Sequence, residues 1–451
     1  MKVSSSYQVK LHKVNHALDD TVSLYRSVVK FLLPFIREYY DDIKDLRNNE
    51  SMMYIEKLIH STKSRKAAYP SFDKRFYKLP SYFRRAAISS AIAHYKSHVK
   101  LKDKQDDCFM DWNPDVYPVF FKGNCFKQIH DNVYAIKVYK DNDWKWLEVK
   151  LDSSNLRYLY RNTDFDKLSA PVLIRRHHGW SLRFAYEYEA ERKFIKDKDV
   201  SIAMGVDLGL NTDAVCSVID IKGTVCGQRF INYPQQKDRL YHLLNKIKKV
   251  QRLGNYHNPR LWSYIKNYNK DIAIRVSHDI IDFAIVHNVQ VIVFENLDNL
   301  KPSGSKKQKI ALWRKRDIQK RTEHLAKRYG IRVTYICAYN TSRLAYDGSG
   351  IVLRGHEAGF TDNKLCKFQN GKIYNCDLSA SRNITARYLL RILQKSTNES
   401  MWSAVTAKVP ELSARTKCTL STVIGLYAVY ENLVSHKLSV NCISRKQSHV
   451  A

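Results

Sequence analysis

The chain lacks any stretch that reads as a leader or a membrane span. Its start, MKVSSSYQVKLHKVNHALDD, has no apolar core, and the longest apolar-leaning run, Val423–Tyr430, is far too short to cross a bilayer. Cysteines are few and unpatterned: nine of them, an odd number, without regular spacing and with no C-x₂₋₄-C pair. That argues against a secreted disulfide scaffold and suits a reducing cytosol. It also leaves no paired thiolates of the kind that tetrahedral zinc takes. Acid is the scarce charge, with 44 Asp and Glu against 76 Lys and Arg, a formal +32. Such an excess repels itself in an isolated protein and draws in phosphate, so the expected partner is a polyanion.

What is present is ample for folding. Hydrophobic residues make up 44% and aromatic residues 12%, which suits packed cores rather than a disordered basic tail. The 451 residues leave room for two to four domains. Tyr7–Lys13 alternates as a strand, and Leu18, Val22, Tyr25, Val29, Leu32 and Ile36 recur at spacings of three and four, which predicts an amphipathic helix. Helical character continues to Leu101. From Tyr117 the pattern turns to strands: YPVFF, VYAIKVY, WKWLEVKL, and a hairpin about Gly179. Ser201–Phe230 predicts three short strands. Helices follow in Arg239–Arg252 and Ile272–Val286, the second leading into the strand VIVFE through an α/β connection. Lys301–Gly330 holds 11 basic residues and two acids, read as a loop, KPSGSKKQK, and then a helix. A last helix covers Leu378–Gln394, and the segment after it, with weak helical signals around Leu420–Val434, is expected to be partly ordered at most.

Three acidic residues carry the chemistry. Asp207 lies in GVDLGLNTDAVCSVID, Glu295 in VIVFENLDNL and Asp377 in NCDLSASRNITARYLL, each where an apolar strand ends or a helix begins. Each has a local reading: Asp207 starts a turn through Gly209 and Asn211, Glu295 ends a strand in solvent, and Asp377 caps or charges the first turn of a helix. A carboxylate set into an apolar run is nonetheless unfavourable by roughly several kcal/mol unless a cation or donors satisfy it. Taken together they read as one hard-cation site, with oxygen ligands that suit Mg²⁺ or Mn²⁺ rather than zinc.

In order and in flanks (DLG, FENL, and S-R-N-I after the last Asp), these phrases resemble the three RuvC motifs of TnpB-type proteins, insertion-sequence nucleases related to compact type V CRISPR effectors. DDE transposases share the RNase H-like fold but end in Glu, so Asp377 argues against them. The resemblance covers roughly Tyr7–Ile392. It implies an α/β multidomain fold: a β-barrel wedge domain (1–15 and 110–195) with an inserted helical recognition lobe (16–109), then an RNase H-like RuvC nuclease domain (196–336 and 377–395). A target-nucleic-acid-binding insertion (337–376) and a basic C-terminal tail (396–451) complete it. The implied function is RNA-guided DNA endonuclease in the prokaryotic cytosol, with guide RNA and target DNA as partners and a short flanking motif read in the duplex. The implied chemistry is two-metal, Mg²⁺-dependent phosphodiester hydrolysis at Asp207, Glu295 and Asp377.

A guide-independent RuvC-like nuclease shares the triad but hardly needs the basic front half. A nuclease-silent DNA-binding regulator would keep the charge and lose the carboxylates. Nucleic-acid contacts are expected from Arg84 and Arg85 in the lobe, and from Lys315, Arg316, Lys320 and Arg321 near Glu295. TnpB-type proteins generally carry a four-Cys zinc knuckle opening T-S-x-x-C-x-x-C-G. Here Ala345 and Gly348 follow Thr341 and Ser342 where thiolates would stand, and Gln369 takes the place of a partner for Cys366. Zinc is therefore not expected, although Cys337, Cys366, Cys376 and His356 are available to converge. Turns through Gly348, Gly350, Gly355 and Gly371 are expected to hold the insertion instead.

Overall fold

The computed structural model describes residues 2–12, 16–103, 109–176, 179–297, 313–362, 364–409, 412 and 415–429. The loop KPSGSKKQK and the tail beyond residue 429 lie outside the described residues. Two compact units divide the chain, Lys2–Tyr188 and the part from Glu189 onward.

In the first unit, strand β1 (Lys2–His12) is followed by helices α1 (Ala17–Glu38), α2 (Tyr40–Ile43), α3 (Asn48–Ile59), α4 (Ser71–Arg75) and α5 (Ser81–Lys102). Strands β2 (Phe126–His130), β3 (Val133–Lys140), β4 (Asp143–Leu151), β5 (Val172–Arg176) and β6 (Gly179–Glu189) come next, with α6 (Ser153–Asn162) between β4 and β5. The face of α1 marked by its spacing is the buried one: Leu18, Val22, Tyr25, Val29, Leu32 and Ile36 all pack inward, against α5 and β3. Thr21 ties the helix to the sheet, its hydroxyl accepting from the Tyr139 N–H at 2.8 Å. The six strands form one sheet in the order β2-β3-β4-β1-β6-β5. The first strand thus sits inside a sheet whose other members follow the helices. One expected strand is missing. Within Tyr117–Phe121 only Val119 pairs, through an isolated bridge to Val172, because Pro118 has no N–H to give a ladder.

The second unit is built on β7 (Ile202–Asp207), β8 (Ala214–Asp220), β9 (Val225–Ile231), β10 (Val291–Asn296) and β11 (Arg332–Cys337), in the order β11-β10-β7-β8-β9. Strands β7 to β9 run antiparallel; β10 lies parallel to both β7 and β11. Helices α7 (Pro234–Arg252) and α8 (Pro259–Val286) carry the chain from β9 to β10, and α9 (Lys315–Ala326) precedes β11. Strand alternation sorts the two faces. Met204, Val206, Ile292 and Phe294 pack toward α8 and α9, whereas Ala203, Val291 and Val293 pack toward α10 (Cys376–Ser396).

Helix α10 lies unusually close to β7. A Cβ on Gly205 would sit 2.3 Å from the Ser381 carbonyl and 2.4 Å from Thr385 Oγ1, so only glycine fits the crossing. Small polar residues on the helix use that closeness: Ser381 Oγ meets Ser217 Oγ at 2.5 Å, and Thr385 donates to the Ser217 carbonyl at 3.2 Å. Gly205→Ala is expected to lower stability by about 1–3 kcal/mol or more through overpacking against backbone. An unchanged midpoint in denaturant would refute the close crossing.

Between β11 and α10 lies a small three-stranded sheet, β12 (Leu353–Arg354), β13 (Leu365–Lys367) and β14 (Ile373–Asn375), over a core of Ala345, Val352, Cys366, Phe368 and Cys376. Gly348, Gly350, Gly355 and Gly371 all have positive φ there, as their turns require. After α10 two further helices are described. Helix α11 (Glu399–Lys408) and helix α12 (420–429) bring Val405, Cys418, Leu420, Val423 and Leu426 into the core beneath α10. Their apolar spacing is weak because they cover a flank of an existing core rather than form one.

Candidate active site

Strands β7 and β10 run side by side with Val206 opposite Phe294, so the next residues, Asp207 and Glu295, end neighbouring parallel strands together. Val206 and Phe294 point into the α8 side; the following carboxylates turn to the other face, where α10 begins. Asp377 sits in the first turn of that helix. It does not cap it. Asn375 does, accepting from the Leu378 N–H at 2.9 Å, which leaves the Asp377 carboxylate to the site. The turn after Asp207 closes the third side: Gly209 lies where a Cβ would meet the Thr212 carbonyl at 2.6 Å, and the Thr212 hydroxyl donates to Asp377. DLGLNT therefore serves two carboxylates at once.

All three side chains are partly accessible, and all three titrate above the ordinary carboxylate range. Burial, then the charges of Glu295 and Asp377, raises Asp207. Burial raises Glu295 and Asp377, each opposed by nearby donors and cations. One cation recurs at every member. The guanidinium of Arg354 draws all three back down, and it stands on the three-stranded insertion, held by a bond to the Ser342 carbonyl. Arg354 was not legible in the sequence, where it is a lone arginine in a two-residue strand. Among the described residues, no three His, Cys, Asp or Glu side chains are drawn in to ion-holding distance. Asp207 feels the charges of both Glu295 and Asp377, and Arg354 acts on all three. Their chemistry fits a hard divalent cation: oxygen donors only, and like charges whose mutual repulsion such an ion relieves.

The basic residues divide. Arg84 is buried and its Nε bonds Glu56 Oε1 at 3.0 Å, so the expected nucleic-acid contact there is corrected to an internal ion pair. Arg85 shares Glu56, at 3.0 Å, but is exposed. Lys315 is likewise turned inward, its ammonium donating to the Leu297 carbonyl at 2.6 Å. Arg316 and Lys320 are exposed and line a cavity of about 390 Å³ with Asn296, Gln319 and Tyr335; Arg321 is half-buried on the same helix. Cys366 and Cys376 meet each other in the small core beside Arg354, whereas Cys337 is exposed at the end of β11 and His356 is exposed.

Comparisons with known proteins agree with the motifs. By fold, the chain resembles the Cas12f1 protein in a cryo-EM Cas12f1–sgRNA–target DNA complex, with a TM-score of 0.50 over 81% of this chain and 80% of that one, at 17% identity. By sequence, it is 27% identical over 258 residues to the TnpB-like protein aq_aa05 of Aquifex aeolicus, covering 51% of this chain and 80% of that protein. It is 24% identical over 227 residues to the CRISPR-associated endodeoxyribonuclease Cas12f1 of an uncultured archaeon, a match spanning 46% of this chain and 40% of that relative. A model of the Aq_aa04 family matches residues 5–140. The chain is thus similar in sequence to TnpB-like proteins and to Cas12f1, and in fold to Cas12f1.

Proposed function

We propose that the protein is an RNA-guided DNA endonuclease whose cutting centre is Asp207, Glu295 and Asp377. The observation that carries this is the meeting of three separated carboxylates at two parallel strand ends and one helix start, with raised pKa values from burial and mutual charge. The strand order, the formal +32 and the likeness to TnpB-like and Cas12f1 proteins support the same reading. In the corresponding domain terms, residues 196–336 and 377–395 form the nuclease domain, with the 337–376 insertion supplying Arg354. Residues 1–15 and 110–195 form the wedge, and 16–109 the lobe.

The three carboxylates would hold Mg²⁺ or Mn²⁺, which supplies a nucleophilic water at neutral pH and a counter-charge for the phosphate. The chain's own residues do the rest. Thr212 and Thr341 hold Asp377 and Glu295 by hydroxyl bonds. Arg354 is placed to meet the phosphate's charge and to hold the scissile group against the carboxylates. Arg316, Lys320 and Arg321 would guide the strand, and Arg85 the RNA. Pairing between guide and target would supply sequence choice.

The test is the nucleic acid that accompanies the protein. Purified from cells, the chain is expected to carry one defined, nuclease-protected RNA. Its affinity should fall with salt at a log–log slope of about −0.7 per phosphate neutralised. A smear of cellular fragments, or none, would sink the guide reading.

A further inference from the structure

The insertion 337–376 has no C-x₂₋₄-C pair, yet its first segment is held firmly. Three side chains spaced four apart on α10 form a polar stripe along it. Ser379 Oγ accepts from the Tyr346 N–H at 3.1 Å and lies 3.4 Å from the Leu344 carbonyl. Asn383 Nδ2 donates to the Thr341 and Leu344 carbonyls at 3.0 and 2.8 Å. Arg387 Nη1 donates to the Tyr339 carbonyl at 2.6 Å and reaches that of Cys337 at 3.4 Å. Asn383 and Thr341 are essentially solvent-free, so this register is fixed without water.

The stripe delivers one side chain to the site. The Thr341 hydroxyl bonds Glu295 Oε1 and also lies 2.9 Å from the Ala338 carbonyl. A hydroxyl has a single proton. The Ala338 carbonyl also receives the Thr341 backbone N–H in the same turn, so the proton is available to the carboxylate. Glu295 lies near the end of β10, and this bond fixes one of its two carboxylate oxygens. An immobile donor on one oxygen limits the directions the other can take.

We infer that Thr341 is a positioning residue for Glu295, and that Asn383 and Arg387 of α10 fix it there by clamping the 337–344 segment. The same helix therefore supplies Asp377 from its first turn and orients Glu295 from its second and third. The inference rests on the nuclease reading of the carboxylates and adds to it the origin of Glu295's orientation.

The test uses the full chain and Mn²⁺ as probe. Thr341→Val keeps the shape and removes the donor; it is expected to weaken Mn²⁺ binding by titration calorimetry, or cleavage turnover, by about 10–100-fold. Target affinity and melting midpoint should stay near wild type. Thr341→Ser restores the hydroxyl and should recover most of the loss. Combining Thr341→Val with Asn383→Ala should cost the site little beyond Thr341→Val alone, because both act through one bond. If Thr341→Val binds Mn²⁺ and cuts like wild type, the inference fails while the nuclease reading stands. If Thr341→Ser is as impaired as Thr341→Val, the hydroxyl is not what matters and the inference also fails. A wild-type chain that neither binds Mn²⁺ nor cuts overturns the nuclease reading, and this inference with it.

Discussion

Asp207→Asn should abolish cutting and at the same time make the metal-free protein more stable. The first effect follows from losing a charged ligand where the transition state's charge is balanced; a thousandfold loss or more is expected, roughly 4 kcal/mol in the barrier. RNA and target binding should persist, since the carboxylate acts on the transition state rather than on the complex. The second effect follows from the direction of the pKa. Burial and the neighbouring Glu295 and Asp377 charges raise Asp207 above its unfolded value, so the fold prefers its protonated form. Such a group helps the fold in acid, and that help is lost as pH rises through the folded pKa. At neutral pH the buried charge is a net liability, and an amide of the same shape removes it. The two measurements are cleavage rate and melting midpoint in chelator. Wild-type cutting by Asp207→Asn, Glu295→Gln or Asp377→Asn removes that residue from the centre. A lower midpoint for Asp207→Asn without metal would contradict the electrostatic account.

This trade between stability and activity explains why the candidate centre stood out in the sequence while much around it did not. A carboxylate ending an apolar β-branched run is conspicuous because nothing in the run itself satisfies it. Its partners come from far along the chain and leave no local mark. Thr341, Asn383 and Arg354 look like ordinary polar residues; their roles exist only once α10 lies against β7 and the insertion folds over the strand ends. The α1 face was readable because its periodicity is local. Side-chain direction in a basic run was not. Arg84 and Lys315 belong to charge-rich stretches whose composition points outward, yet Glu56, 28 residues before Arg84, and the Leu297 carbonyl draw them in. The α11–α12 segment gave only a weak signal for the related reason that its apolar residues are sparse, each one filling a gap in a core made by others.

That last point sets the largest stability effect. A chain ending at Ser396 should fail to fold its second unit, although all three carboxylates remain. It would lose Val405, Leu420, Val423 and Leu426, each at most 3% exposed. At about 1.5–3 kcal/mol per buried aliphatic side chain, the loss is roughly 6–12 kcal/mol. A realistic, partly compact unfolded chain reduces that figure by roughly 10–40%. What remains is still comparable with the whole stability of a typical domain, about 5–15 kcal/mol. Arg387 would lose two of its partners too: its Nε and Nη2 donate to the Cys418 and Thr416 carbonyls at 3.3 and 2.8 Å, which leave with the segment. The truncated chain is expected to aggregate or to bind a hydrophobic dye, without a cooperative melt. Val423→Asp in the full chain should reproduce the defect in milder form, because it buries a charge with no partner at a site of 0% exposure. If the truncated chain instead melts cooperatively near the full-length midpoint and still cuts, α11 and α12 are an appendage. Their burial beneath α10 would then contribute nothing to the site's integrity.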